Sequence, residues 1–348
     1  MKAVLYYEFG GPISIETVPD PRPEPDGAVI RVEATGLCRS DWHGWRGHDA
    51  DIRRFPHIPG HEFAGSIVAV GSEVHRAAVG QRITMPFVSG CGTCSECLSG
   101  NQQVCDHQFQ PGFTGWGSYA EFVAVRYVDG NVVPLPQDMA SVTAAALGCR
   151  LGTAYRAVVA QGATRSGEWV AVHGCGGVGL SVVLVARALG ARVIAVDVRP
   201  EPLEFAKRLG AEFALNACDN SDVPAAIHDL THGGVYVSID ALGGGTTFAN
   251  SVLSLRKRGR HVQVGLLTQK DQMPSALISR LIAWELAIIG SHGIQAHAYP
   301  GLFALIQSGK LDPTQLVERT MSLDHAPREL ESLDGYPGCG VTVFTPGS

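Results

Sequence analysis

The chain has 348 residues, 45% of them hydrophobic and 17% charged, with a formal net charge of −6 and a pI near 6.1. That length exceeds what one hydrophobic core usually fills, so two domains are expected. The net acidity disfavours a nucleic-acid or anionic-membrane surface, and no apolar run reaches about 18 residues, so neither partner is expected.

In chain order, Met1–Tyr6 reads as a strand. It has neither the apolar core nor the small-residue cleavage site of an export signal, and a cytoplasmic protein is expected. A Pro-rich turn, residues 19–25, precedes a short strand at 28–32. Short β-branched runs punctuated by Gly follow at 64–71 and 80–84, and another strand at 119–128. The first 130 or so residues thus read as all-β, with loops carrying the unusual side chains. Among these is Leu37–Glu62, which holds Cys38 and, 23 residues on, His61. A thiolate and an imidazole suit tetrahedral Zn²⁺, although a buried Cys and a buried His are as often plain core residues.

Nine cysteines in a long chain without an export signal point to metal rather than disulfides. Four of them, Cys91, Cys94, Cys97 and Cys105, follow one another at intervals of 3, 3 and 8 residues. Four thiolates this close form a closed tetrahedral cage, a structural zinc site; spacing alone also accommodates an iron–sulfur cluster.

Near 140 the pattern changes. Residues 141–147 read as a helix with Ser141 as candidate N-cap. Beyond 168, strands at 169–173, 192–196, 213–215, 235–239, 261–265 and 286–290 alternate with helices at 178–189, 201–209 and 246–257. Strand alternating with helix predicts a parallel sheet. From about 292 the chain returns to helix and short strands.

The first of those strands runs into Gly174-Cys175-Gly176-Gly177-Val178-Gly179 and then a helix. This is the dinucleotide-binding pattern in its proper context. The first Gly permits the tight turn, the second lets backbone approach a pyrophosphate, and the third lets helix and strand pack closely. Asp197, eighteen residues after Gly179, ends the next strand where a carboxylate accepts from the adenosine ribose and repels a 2′-phosphate. NAD is therefore expected over NADP, with Arg199 nearby keeping some NADP use open. The plainer alternative for Asp197 is a helix cap.

Together these motifs resemble the zinc-dependent medium-chain alcohol dehydrogenase family. Gly36-Leu37-Cys38-Arg39-Ser40-Asp41, Gly60-His61-Glu62, the four-cysteine lobe, Gly148-Cys149 and the glycine turn with Asp197 occur in the family's order over nearly the whole chain. The resemblance implies an α/β protein: a GroES-like β-rich catalytic domain (1–150), a Rossmann doubly wound parallel-sheet domain (151–291), and a C-terminal segment (292–348) returning to the first. It implies two zinc ions per chain. Cys38, His61 and Cys149 hold the catalytic one, with Glu62 beside the metal as a catalytic residue that can bind zinc directly when substrate or water leaves. Arg39 and Thr153 join Gly174, Gly176, Gly177, Val178, Gly179, Asp197 and Arg199 in binding NAD. Zinc acidifies the bound alcohol, Ser40 takes its proton, and the nicotinamide ribose passes it to His43. The implied reaction is reversible oxidation of a primary or secondary alcohol to an aldehyde or ketone by a homodimer or homotetramer. Gly80-Gln81-Arg82-Ile83 departs from the family's usual Gly-Asp there, without catalytic consequence. Trp42, Trp45 and Phe87 fall near the expected substrate channel or in the core. Other readings are a polyol or sugar dehydrogenase of the same superfamily, and a non-catalytic NAD-binding redox sensor. A zinc-finger nucleic-acid binder is disfavoured by net acidity.

Overall fold

Short, glycine-punctuated β-branched runs pair as strands because each buries one face and turns sharply at its ends. The computed structural model describes residues 1–267, 275–335 and 338–347. Two compact units divide the chain: Met1–Gly152 with Gly293–Gly301 and Leu316–Ser348, and Thr153–His292 with Leu302–Gln315. Residues 302–315 thus group with the second unit, apart from the rest of the C-terminal segment.

In the first unit, β1 (Lys2–Leu5) and β2 (Ser14–Thr17) form a hairpin-like pair. β3 (Ala28–Gly36), β4 (Phe63–Val70), β5 (Arg82–Thr84), β6 (Phe122–Val125) and β7 (Val133–Pro134) belong to the main sheet. Ile30, Val32, Phe63, Ile67, Ile83, Met85, Val123 and Val125 fill its core. Each such side chain is worth about 1.5–3 kcal/mol on burial. The β3–β4 register places the metal-ligand candidates. Thr35 pairs antiparallel with Phe63, and the Gly36 amide donates to the Glu62 carbonyl at 2.7 Å. The segment leaving β3, with Cys38, therefore lies beside the segment entering β4, with His61 and Glu62.

The all-β expectation for this unit needs correction. Arg39–Trp45 is a helix, nucleated where the Asp41 carboxylate accepts from the Cys38 amide at 3.0 Å. Trp42 and Trp45 pack into a second core with Leu5, Tyr6, Ile58 and Phe344. The helix at 141 is short, Ser141–Ala145, and its N-cap is Ala140. Ser141 instead donates to Glu33 Oε2 at 2.5 Å and accepts from Arg82. A π-helical turn, Leu147–Leu151, follows and carries Cys149.

In the second unit β8 (Trp169–His173), β9 (Arg192–Asp197), β10 (Phe213–Asn216), β11 (Val235–Asp240), β12 (Leu255–Gln263) and β13 (Ala287–Gly290) form a parallel sheet in the order β10-β9-β8-β11-β12-β13. The order reverses between β8 and β11, the switch point at which such sheets bind dinucleotides. Helices Gly177–Ala188 and Pro200–Arg208 match expectation within a residue or so. The helix expected to 257 ends at Leu253, and the polar run Arg256–Arg258 lies in β12, where the register slips against β11. A helix at Val223–Thr231, absent from the sequence reading, buries only Val223 and Ile227. β14 (Val317–Ser322) and β15 (Val341–Thr345) complete the sheet of the first unit through β15–β3 pairing. Among the described residues, no helix is long and apolar enough to cross a membrane.

Candidate active site

Asp41 organises the first constellation. Its Oδ1 accepts from the Gly60 amide at 3.1 Å and lies 2.8 Å from His61 Nδ1. Its Oδ2 accepts from the Cys38 amide and the Tyr119 hydroxyl, each at 3.0 Å. The His61 Nδ1 proton is thus fixed by a carboxylate, and Nε2 is left as an acceptor. That Nε2 is buried with no hydrogen-bond partner among the described residues. The donor atoms of Cys38, His61 and Cys149 all lie within 4.8 Å of one another, and all three residues are buried.

Two sulfurs and one orphaned imidazole nitrogen are the donor set of an open zinc site. A bond from the Cys149 thiol takes Cys38 well below the usual thiol range. The same bond, with burial, takes Cys149 well above it. A divalent cation binds such sulfurs as thiolates, so its binding releases thiol protons. The π-helical turn aims Cys149 inward, and the Tyr299 hydroxyl steadies it by donating to the Leu147 carbonyl at 3.0 Å. Phe113 and Phe87 flank the His61 ring at 5.2 and 6.0 Å.

Glu62 stands apart from the three converging donors. Its carboxylate is fully buried, with Oε1 accepting from the Arg150 amide at 2.7 Å and Oε2 paired with the Arg150 guanidinium. Burial raises its pKa above the usual value, against the pull of Arg150. Ser40 and His43 lie one turn apart on the Arg39–Trp45 helix, both half-buried. His43 Nδ1 faces His48 Nδ1 at 3.0 Å, and burial, Arg39 and His48 hold its pKa below the ordinary value. The Arg39 guanidinium stacks over Trp42 at 3.9 Å and donates to the Leu333 carbonyl.

Sequence reasoning gave Asp41 and Arg150 no role, and His48 and Phe113 were not singled out. The signal for the first was present: an acid inside the Cys-Arg-Ser-Asp run, with a short side chain suited to capping.

The lobe brings Cys91, Cys94, Cys97 and Cys105 within 4.8 Å of one another. Backbone amides point at the sulfurs: Cys91 to Cys105 Sγ at 3.2 Å, His107 to Cys105 Sγ at 3.2 Å, and Cys94 to Cys91 Sγ at 3.4 Å. Burial works to raise the Cys91 pKa, but bonds from Thr93 and Cys94 take it down to about 6. Amide-to-sulfur donors stabilise thiolates, so the donor set fits a closed structural metal site.

In the second unit Gly174 has φ +88°, and a Cβ on Gly179 would lie 1.8 Å from the Gly174 carbonyl oxygen. Gly176 has nothing within 4 Å of where its Cβ would stand. It caps the helix Gly177–Ala188 without a side chain, leaving that helix's first N–H groups open to an anion. The residues fit a pyrophosphate. Asp197 Oδ2 accepts from the Cys175 amide at 2.7 Å, and Oδ1 from the amides of Val198 and Arg199 at 2.8 and 3.0 Å. Asp197 therefore ties the glycine turn to the end of β9. Thr153 is buried at the start of this unit, in the helix Gly152–Tyr155.

Comparison with known proteins identifies the family. A model of the alcohol dehydrogenase GroES-like domain matches residues 24–137, and one of zinc-binding dehydrogenases matches residues 177–308. An NAD-dependent alcohol dehydrogenase of Sulfurisphaera tokodaii is 32% identical over 99% of this chain and 100% of its own. An alcohol dehydrogenase of Geobacillus stearothermophilus is 36% identical over 76% of this chain and 77% of its own. The solved alcohol dehydrogenase TADH of Thermus sp. ATN1 superposes with a TM-score of 0.90 at 31% identity, covering 99% of both chains. Likeness of this extent, in sequence and in backbone alike, makes the chain a member of the zinc-dependent medium-chain alcohol dehydrogenase family.

Proposed function

We propose that the protein oxidises a primary or secondary alcohol reversibly to an aldehyde or ketone with NAD, using one catalytic and one structural zinc per chain. The observation that carries this reading is the convergence of Cys38, Cys149 and the orphaned Nε2 of His61. When bound, the metal supplies Lewis acidity toward the substrate oxygen and the dinucleotide accepts the hydride. The rest falls to the chain. Cys38, His61 and Cys149 hold the metal, and Asp41 keeps His61 in the required tautomer. Ser40 takes the hydroxyl proton. His43, with its lowered pKa, hands it to solvent, with His48 at its outer nitrogen. The Gly174–Gly179 turn cradles the pyrophosphate and Asp197 receives the ribose, with Arg39, Thr153 and Arg199 completing the cofactor contacts. Residues 1–150 are proposed as the catalytic domain and 151–291 as the cofactor domain, with 292–348, apart from 302–315, returning to the first.

The test is NADH formation at alkaline pH over a panel of primary, secondary, aromatic and polyol substrates, with NADP in parallel and with or without a strong chelator. Turnover with NAD that is lost on chelation is expected. Turnover indifferent to prolonged chelation sinks the zinc mechanism, and faster reduction of NADP removes Asp197 from the selectivity argument.

β13 is the last strand of its sheet, and strand edges invite pairing. We accordingly expect a homodimer or homotetramer. Light scattering should give two or four times 36.8 kDa, and a 36.8 kDa species across the micromolar range would refute it. None of the nine cysteines is disulfide-bonded, which suits the reducing cytoplasm proposed as its compartment.

A further inference from the structure

Arg150 is 4% exposed and Glu62 not at all. One residue saturates the carboxylate, the Arg150 amide holding Oε1 and its guanidinium holding Oε2. Each partner is also the chain neighbour of a donor: Glu62 follows His61, and Arg150 follows Cys149. The space for the pair is made by Gly36, where a Cβ would stand 2.8 Å from Arg150 Nη2 and 2.9 Å from Glu62 Oε2.

A hard, charged carboxylate on the residue next to His61, paired with the residue next to Cys149, is a candidate competitor for the metal. With Glu62 added as a fourth protein ligand the site is closed, and closed zinc sites are structural whereas catalytic ones keep a position open. A guanidinium is the group suited to hold a carboxylate in place, because its donors are fixed and its charge is permanent. The pair is also neutral, so it leaves the charge of the donor set unchanged.

We propose that Arg150 is a positioning residue that keeps the Glu62 carboxylate off the catalytic metal and so keeps the substrate position open. The proposal rests on the reading of Cys38, His61 and Cys149 as the catalytic metal site.

The experiment replaces zinc by cobalt(II) in the parent protein, R150M, E62Q and the R150M/E62Q double variant, and records the ligand-field absorption of each. Cobalt in the four-cysteine lobe contributes equally to all four spectra and cancels in the differences. In R150M the bands shift as a carboxylate enters the coordination shell. In zinc-loaded R150M, KM for the alcohol rises by at least about tenfold with a much smaller change in kcat, the signature of a competing ligand. The double variant, which has no carboxylate to release, returns to the parent spectrum. A role in folding alone lowers the yield or melting temperature of R150M without adding the absorption of a carboxylate ligand to the protein that folds.

Because R150M strands a buried charge, R150K serves where R150M does not fold. Its amine keeps the charge without the fork, and the same shift is expected. Parent-like bands in the single variant overturn the proposal, and so does a shift that persists in the double variant. A parent protein that takes up cobalt only in the lobe overturns the metal-site reading itself, and this inference falls with it.

Discussion

His61→Ala loses at least about a thousandfold in turnover, because a Lewis acid contributes several kcal/mol to the barrier and each 1.4 kcal/mol is a factor of about ten. It also loses about one metal equivalent per chain. His61 is 1% exposed, and its Nε2 is the sole nitrogen in the three-residue donor set. Without the ring, two sulfurs remain and Asp41 Oδ1 keeps only the Gly60 amide. Metal content by elemental analysis and the rate of NADH formation are the two readouts. A variant that keeps its full metal content and a rate within about tenfold of the parent would falsify the ligand assignment. The four-cysteine lobe shares no residue with this site, so its metal stays and gives the internal reference.

Gly179→Ala should cost both stability and cofactor. The new methyl lies 1.8 Å from the Gly174 carbonyl oxygen and 2.9 Å from its carbon, so backbone rather than a side chain must move. Overpacking of this kind costs about 1–3 kcal/mol or more, and each kcal/mol is about 2–4 °C of melting temperature in a protein of 150–250 residues. The helix then stands off β8, the amides at its start lose their aim, and NADH affinity falls by about tenfold or more. Gly176→Ala is the control, since nothing lies within 4 Å of its Cβ position. That variant should melt with the parent yet bind NADH weakly, because its methyl enters the space proposed for the pyrophosphate. Should Gly179→Ala bind NADH as the parent does, the turn is not the cofactor cradle.

What was legible in the sequence is what local chemistry dictates. The glycine turn, the cysteine spacings and the strand–helix alternation beyond 168 each need only a few neighbouring residues to be read. The opaque parts depend on distant partners. Asp41 looks like one polar residue in a loop until β3–β4 pairing brings Gly60 and His61 to it. Arg150 looks like an ordinary cation beside a cysteine until the π-helical turn delivers it to Glu62. The helix Val223–Thr231 escapes periodicity because two buried side chains make too thin an apolar stripe. Its punctuation was present all the same, in Asp222 accepting from Ala225 and Pro224 in the first turn. Ser141 misled because a hydroxyl before an apolar run reads as a cap, whereas tertiary packing recruits it to Glu33 and Arg82.

The four bonds collected by Asp41 have a further consequence for how the two proposed metals are gained and lost. The loop from 38 to 61 is closed by a carboxylate belonging to the protein, so the ligands there are pre-organised and the ion meets a ready-made chelate with little ordering entropy left to lose. Among the described residues, the bonds to the lobe's sulfurs come from its own neighbouring amides, the Thr93 hydroxyl and the Cys94 thiol, with no carboxylate among them. Its loop closure is then coupled to the ion itself. Metal exchange at the first site is therefore a matter of ligand substitution on a rigid frame, while at the second it is a local folding reaction, with the slower return and the greater loss of protein that refolding brings.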